Sequence, residues 1–157
     1  MGTLIQRLND ARIRYLVIGG QAMRLFGMPR FSMDWDFLIP ARDAENFRKL
    51  NDAFVDDFDA ELEPMAVPGT NLIQTYQTKY GILQFHLGIP GVPSFDDAEK
   101  RSVIKVSDEG DNVRCLCGRD LLASKKATNR PHDQQDIAYL EELERLGHLG
   151  GDSTTHG

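Results

Sequence analysis

The chain has 157 residues, of which 41% are hydrophobic and 27% are charged, and its formal net charge is −6 at pH 7. This makeup excludes an intrinsically disordered chain, and the acidic balance argues against a large, nonspecific grip on nucleic acid. No apolar run is long enough to span a membrane and the N-terminal segment is charged where a signal peptide is apolar, so we expect a cytoplasmic protein without a membrane partner.

The length corresponds to one domain. We expect that domain over residues 1–149 and a flexible tail over residues 150–157, because the tail has no apolar side chains to bury. The first predicted element is a helix over residues 3–12, where apolar residues recur at helical spacing. Thr3 is a suitable N-cap for it.

The next segment carries the most informative pattern in the chain. It predicts a buried strand from Tyr15 to Ile18, a Gly19-Gly20 turn, a short helix, and a second strand that includes Asp34 and Asp36. Residues two apart on a strand point to the same face, so the two aspartates are expected side by side.

Two neighbouring carboxylates repel each other unless a cation lies between them. Carboxylate oxygens suit Mg²⁺ or Mn²⁺, which complete their coordination with water and substrate phosphates. The backbone amides after Gly19 and Gly20 are expected to face phosphate, since glycine leaves the approach open. The alternative is a plain strand-to-helix turn followed by an Asp-x-Asp that occurs by chance.

A Gly-Gly pair after an apolar strand, then thirteen residues, then Asp-x-Asp resembles the signature of the nucleotidyltransferase superfamily, with its polymerase-beta-like fold. Residues 30–36, Arg-Phe-Ser-Met-Asp-Trp-Asp, also resemble the motif of small bacterial proteins related to AbiEii-type abortive-infection toxins. The resemblance implies that Asp34 and Asp36 are catalytic and bind Mg²⁺ or Mn²⁺. The residues that it implies for binding a nucleoside triphosphate are Gly19, Gly20, Arg30 and Ser32.

The middle of the chain predicts further elements. A helix begins at Asp43 and extends through Phe58, and it presents an apolar stripe to the sheet. A strand over residues 71–78 and a second one from Gly81 follow, then a Pro- and Gly-rich loop over residues 90–97 and a hairpin over residues 103–117. Cys115 and Cys117 in that hairpin are expected to be buried, reduced thiols.

The strand from Gly81 bears on the reaction. Gln84 and His86 share a face and should meet the aspartates if the two strands are neighbours. Proteins that this chain resembles usually have a third acid here. Gln84 can coordinate a metal weakly but cannot accept a proton. His86 is expected to be a base, a metal ligand or a structural residue. Both residues are candidate catalytic positions.

Two helices are predicted at the C-terminal end, one to Asn129 and one from Pro131. Their Lys-x₄-Arg-x₂-Asp-x₂-Asp pattern also resembles the nucleotidyltransferases. Lys125 is expected either to bind a phosphate of the nucleotide or to be a surface charge. Arg130 and Asp133 are expected to tie the two helices together.

The predicted fold is α/β (α+β): a mixed, twisted sheet of five or six strands flanked by helices, with the nucleotidyltransferase core. The resemblance implies transfer of a nucleotidyl group from a nucleoside triphosphate to an unidentified acceptor, with Mg²⁺ or Mn²⁺. It admits an RNA or protein acceptor and an antitoxin partner. The alternatives are a catalytically impaired member that binds nucleotide or serves as a toxin-antitoxin partner module, and a fold used only for protein association.

Overall fold

The computed structural model describes residues 2–29 and 31–149, so Arg30 and the predicted tail lie outside the described residues. The described part of the chain contains six α-helices, one short 3₁₀ helix (Pro131–Asp133) and six strands. In chain order these are α1 (Leu4–Asp10), β1 (Leu16–Ile18), α2 (Gly19–Leu25), β2 (Trp35–Leu38), α3 (Ala44–Ala53), β3 (Ile73–Thr78), β4 (Gly81–His86), α4 (Phe95–Arg101), β5 (Val103–Val106), β6 (Asn112–Cys115), α5 (Gly118–Thr128) and α6 (Gln134–Arg145).

The six strands form one mixed sheet in the order β3-β4-β2-β1-β6-β5. The neighbours β2 and β4 are parallel, as are β1 and β6, and the other three pairs are antiparallel. Parallel neighbours require a connection that crosses over the sheet, and helices supply it here. The prediction of a mixed α/β sheet flanked by helices is confirmed.

One face of the sheet carries an aromatic core. The Phe37 ring stacks on Phe85 at a centroid distance of 5.5 Å and meets Tyr15 edge-on at 5.8 Å. Phe58, which follows α3, stacks on Tyr76 at 4.0 Å. These rings are largely removed from water, and burial of this area is the main stabilising term of the fold. The opposite face is left for α5 and α6, and it carries the polar side chains of β2 and β4.

Several predicted elements are confirmed with altered ends. Thr3 caps α1 in a capping box with Gln6, as its sequence context predicted. The helix predicted from Asp43 to Phe58 ends at Ala53, before Asp56 and Asp57. Acids at a helix C-terminus oppose the helix dipole, which gives a physical reason for the earlier end.

The loop predicted over residues 90–97 is wrong at its C-terminal end, because α4 begins at Phe95. Ser94 caps this helix by accepting a hydrogen bond from the Asp97 backbone N–H. Acidic residues lie in its first turn and basic residues in its last, which favours helix formation. The prolines and glycine before it are typical of a loop, so the N-cap position of Ser94 was not recognised from the sequence.

The strand predicted to reach Cys117 ends at Cys115, and Cys117 caps α5 instead. Both cysteines are free and buried, as predicted. Burial raises the pKa of the Cys115 thiol to about 12, which keeps it protonated at neutral pH. No helix in residues 2–29 and 31–149 is both long and apolar enough to cross a membrane.

Candidate active site

A cavity of about 540 Å³ lies between the polar face of the sheet and the C-terminal helices. This volume is within the range of small-ligand sites. The sheet and the C-terminal helices form its two walls. The sheet wall consists of Gly19, Gly20, Asp36, Gln84 and His86. The helix wall consists of Ser124, Lys125, Thr128, Arg130, Asp133 and Asp136.

The sheet wall is organised by strand register. Asp36 of β2 is paired with Ile18 of β1 on one side and with Gln84 of β4 on the other. Paired residues on neighbouring strands share a face, so Asp36 and Gln84 are adjacent. His86 lies two residues further along β4, and its ring reaches back so that Nε2 is 2.9 Å from Asp36 Oδ1. Only 14% of the His86 side chain and 21% of the Asp36 side chain are exposed, so this pair is held inside the cavity.

Gly19 is required by its conformation and by its neighbour. Its φ of +70° is in the left-handed region that disfavours residues with a side chain. A Cβ atom at this position would lie 2.7 Å from Asp36 Oδ2. The glycine therefore lets the start of α2 approach the carboxylate closely, and α2 begins at Gly19 itself rather than after the predicted turn.

The helix wall is a network of ion pairs in which Lys125, Asp133 and Asp136 are largely buried and Arg130 is half exposed. Lys125 Nζ lies 3.4 Å from Asp133 Oδ1 and 3.0 Å from Asp136 Oδ2. Asp133 also accepts hydrogen bonds from Thr128 Oγ1 at 2.9 Å and from Arg130 Nε at 3.0 Å. The Asp133 side chain is fully buried. The predicted ion pair between Arg130 and Asp133 is present, but it is a local contact three residues apart and does not itself tie the two helices together. Lys125, through Asp136, joins α5 to α6 rather than lying on the surface.

The electrostatics of Asp133 follow from this environment. Burial alone raises the pKa of its carboxyl, but hydrogen bonds from Arg130 and Thr128 and the charge of Lys125 outweigh that effect. The net result is a pKa well below the ordinary value for aspartate, so Asp133 stays ionised at neutral pH. The ion pairs of the helix wall are therefore fully formed under ordinary conditions.

The structure does not bring all predicted site residues into the cavity. Asp34 precedes β2, which begins at Trp35, and its side chain is exposed outside the cavity. Ser32 lines a separate groove of about 380 Å³ together with Trp35. Arg30 lies outside the described residues. The predicted placement of both aspartates on one strand is wrong, because the pairing of β2 ends at Asp36 on the β1 side and at Trp35 on the β4 side.

The side chains around the cavity determine which metal arrangement can fit. Within the described residues, no group of three or more histidine, cysteine, aspartate or glutamate side chains is placed to hold a metal. The arrangement of three carboxylates that two metals need does not fit, since Gln84 occupies the third position. One cation does fit at Asp36, because Mg²⁺ and Mn²⁺ sites commonly use one or two carboxylates and take their other ligands from water and phosphate.

Two residues of the helix wall had not been predicted. Ser124 and Thr128 line the cavity, and Thr128 binds Asp133. In α5, Leu121, Ser124, Lys125 and Thr128 occupy positions i, i+3, i+4 and i+7, which lie on one helix face. That periodicity was visible in the sequence.

A scan of the sequence against models of protein families gives no match, and a search of curated proteins gives none either. Several solved structures have a similar fold, and two of them are described here. One is the lincosamide antibiotic adenylyltransferase LnuA in its lincomycin-bound form, with a TM-score of 0.56 and 18% identity, covering 89% of this chain and 93% of that one. The other is TM1012 from Thermotoga maritima, assigned provisionally as a nucleotidyltransferase, with a TM-score of 0.54 and 12% identity, covering 91% and 85% of the two chains.

At these low identities the likeness establishes the fold. The resemblance to AbiEii-type toxins is not tested by either structure and stays a prediction. The chain has the mixed α/β fold of these nucleotidyltransferases, with Asp36, Gly19 and His86 gathered at one cavity.

Proposed function

We propose that this protein is a metal-dependent nucleotidyltransferase. It binds a nucleoside triphosphate with Mg²⁺ or Mn²⁺ and transfers the nucleotidyl group to an acceptor hydroxyl. The acceptor oxygen bonds to the α-phosphorus, the bond to the β-phosphate oxygen breaks, pyrophosphate leaves and the hydroxyl proton passes to solvent. One observation carries the proposal: the Asp36 carboxylate lies against the Gly19 backbone in a ligand-sized cavity of a nucleotidyltransferase fold.

The charges around the cavity support a role for a cation. On the helix wall, Lys125 and Arg130 are matched by Asp133 and Asp136, so the formal charge of these groups cancels. A triphosphate is strongly anionic, and Asp36 adds a further negative charge. A bound divalent ion supplies the missing positive charge and stabilises the charge that develops on the phosphate during transfer.

The chain's own residues then have distinct roles. Asp36 holds the cation, and the amides of Gly19 and Gly20 line the cavity where a phosphate approaches closely. Lys125, held by its two carboxylates, presents one fixed positive charge to the nucleotide. Asp34 and Ser32 lie outside the cavity and act only on a ligand that extends beyond it.

The chemical class of the acceptor is a separate question from the binding of the nucleotide. LnuA is an adenylyltransferase whose structure contains lincomycin. By analogy of fold alone, a small hydroxylated molecule is a third class of acceptor to be tested, beside RNA and protein. A screen should therefore offer this protein each radiolabelled nucleoside triphosphate with all three acceptor classes.

The test compares the wild-type protein with Asp36→Ala, Asp34→Ala and the double variant, with Mg²⁺ or Mn²⁺ present. Asp108→Ala is the matched control, because Asp108 is exposed and pairs with Arg24 in the other groove. We expect transfer to be lost in Asp36→Ala and kept in the control. Transfer that survives in Asp36→Ala would overturn the proposal.

A second candidate function has a specific observation in its favour. Gln84 is in register with Asp36, where a carboxylate would complete the acid set, and an amide cannot accept the acceptor's proton. An impaired member would bind nucleotide without transfer and serve as a nucleotide-binding or toxin-antitoxin partner module. In that case Gln84→Glu should bring transfer from below detection to a measurable rate, since general base catalysis contributes roughly 100-fold or more. Transfer by the wild type with no gain in Gln84→Glu would favour the enzyme as it stands.

A further inference from the structure

The pair formed by Asp36 and His86 has a mixed donor set, one carboxylate oxygen and one imidazole nitrogen. We propose that His86 is a ligand of the same divalent ion as Asp36, and that this nitrogen makes the site prefer Mn²⁺ over Mg²⁺. The inference rests on the proposed function in placing a cation at Asp36, and it goes beyond that function by assigning a metal ligand and a metal preference.

The geometry of the pair suits coordination. Two ligands bound at a right angle to one ion, each with a bond of about 2.1 Å, lie roughly 3.0 Å apart. His86 Nε2 and Asp36 Oδ1 are already 2.9 Å apart. They project from adjacent parallel strands in fixed register, and both are mostly buried. A cation can therefore replace their hydrogen bond without a change in the strands.

The chemistry of the donors sets the preference. Mg²⁺ selects oxygen ligands, whereas transition ions also accept imidazole. Mn²⁺ shares with Mg²⁺ the preference for carboxylate and phosphate oxygens. As a transition ion it tolerates one imidazole ligand better than Mg²⁺ does, so it suits a site shared between His86 and a nucleotide. Gln84, in register with Asp36, is neutral where a carboxylate would add charge, which leaves the His86 nitrogen a larger share of the binding.

The same geometry argues against His86 as the base for the acceptor. A base needs a free lone pair within hydrogen-bond reach of the hydroxyl proton. Nε2, at the far end of the ring from the backbone, is directed at Asp36. A base role would take Nε2 away from Asp36, whereas ligation keeps it beside Asp36, with the imidazole proton on Nδ1 and the ion in place of the hydrogen bond.

Mn²⁺ binding to the untagged protein, without nucleotide or acceptor, tests this directly. Electron paramagnetic resonance gives the affinity, and electron spin echo modulation from ¹⁴N reports a nitrogen bound to Mn²⁺. We expect ¹⁴N modulation in the wild type and its loss in His86→Gln. The Mn²⁺ affinity should fall at least about tenfold, the loss seen when supporting groups of a metal site are removed. Competition with Mg²⁺ should show that the wild type prefers Mn²⁺ and that His86→Asp shifts the preference toward Mg²⁺.

His132→Gln is the matched control, because His132 lines the same cavity but is 70% exposed. It should leave both the affinity and the modulation unchanged. Loss of Mn²⁺ binding in Asp36→Asn, combined with no ¹⁴N modulation in the wild type, would overturn the His86 assignment and leave the proposed function standing. Unchanged Mn²⁺ affinity in Asp36→Asn would overturn both.

Discussion

The carboxylates on the two walls of the cavity differ in how many side-chain partners they have. On the helix wall Asp133 is fully buried and is bound by Lys125, Thr128 and Arg130. On the sheet wall, within the described residues, Asp36 has one side-chain partner, His86. A group whose bonds are complete before a ligand arrives contributes to stability, whereas a group with spare capacity can bind. We therefore expect the helix wall to determine folding and the sheet wall to determine activity.

The largest expected effect is on the helix wall. Asp133→Asn leaves Lys125 with one carboxylate and weakens the hydrogen bonds that Thr128 and Arg130 donate to this side chain. It should therefore lower the free energy of unfolding by about 3 kcal/mol, as when a buried pair is broken. Urea denaturation measures this. Glu141→Gln is the control, since Glu141 pairs with Lys126 between the same two helices but both side chains are about half exposed. It should cost less than about 1 kcal/mol. Equal losses would remove the distinction between buried and surface pairs.

Gly19 offers a sharper test of the sheet wall. Gly19→Ala and Gly110→Ala both place a side chain at positive φ, +70° and +87° respectively. Gly110 has open space around it, so its variant should lose only about 1 kcal/mol of stability for the backbone conformation. Gly19→Ala also crowds Asp36 and should lose about 1 kcal/mol more, together with Mn²⁺ binding. Calorimetry and metal titration measure the two effects, and equal behaviour of the variants would contradict the close approach.

Asp36→Asn should show the opposite balance from the helix-wall variant. It keeps a hydrogen-bond partner for His86, so the free energy of unfolding should change by less than about 1 kcal/mol. The Tm of the wild type should rise with added Mn²⁺ because the ion binds the native state, and the Tm of the variant should not. A large destabilisation without metal would instead make Asp36 a structural residue.

Strand periodicity allowed much of the sheet wall to be predicted from the sequence. Alternation on β4 placed Gln84 and His86 on one face, and the Gly19-Gly20 pair placed the helix start beside Asp36. Both inferences depend on local geometry, in which side chains repeat every second residue. The structure brings these residues together at the cavity.

The remaining features depend on contacts distant in sequence. The start of β2 is set by the pairing of Trp35 with Leu83 of β4, so local alternation could not show that Asp34 lies before the strand. The position of Lys125 depends on how α5 packs against α6, which brings Asp133 and Asp136 to it. A charged residue on a predicted helix is equally compatible with solvent until its packing partners are known.

A further effect concerns the pH dependence of stability. The pKa of Asp133 is lower in the folded protein than in the unfolded chain, where it is about 3.9. A lowered pKa gives stability that is complete above the unfolded value and is lost as the pH falls below it toward the folded value. Neutral Asp133 would leave Lys125 and Arg130 with one counter-charge fewer, while Asp136 and His132 remain nearby.

In Asp133→Asn this contribution is absent at every pH. The difference in free energy of unfolding between wild type and variant should therefore be constant from about pH 5 to pH 8 and shrink below about pH 4. Its slope cannot exceed one proton, about 1.4 kcal/mol per pH unit. Urea denaturation at several pH values measures this. A difference that stays constant at low pH would mean that the carboxyl's shape, and not its charge, holds the helix wall together.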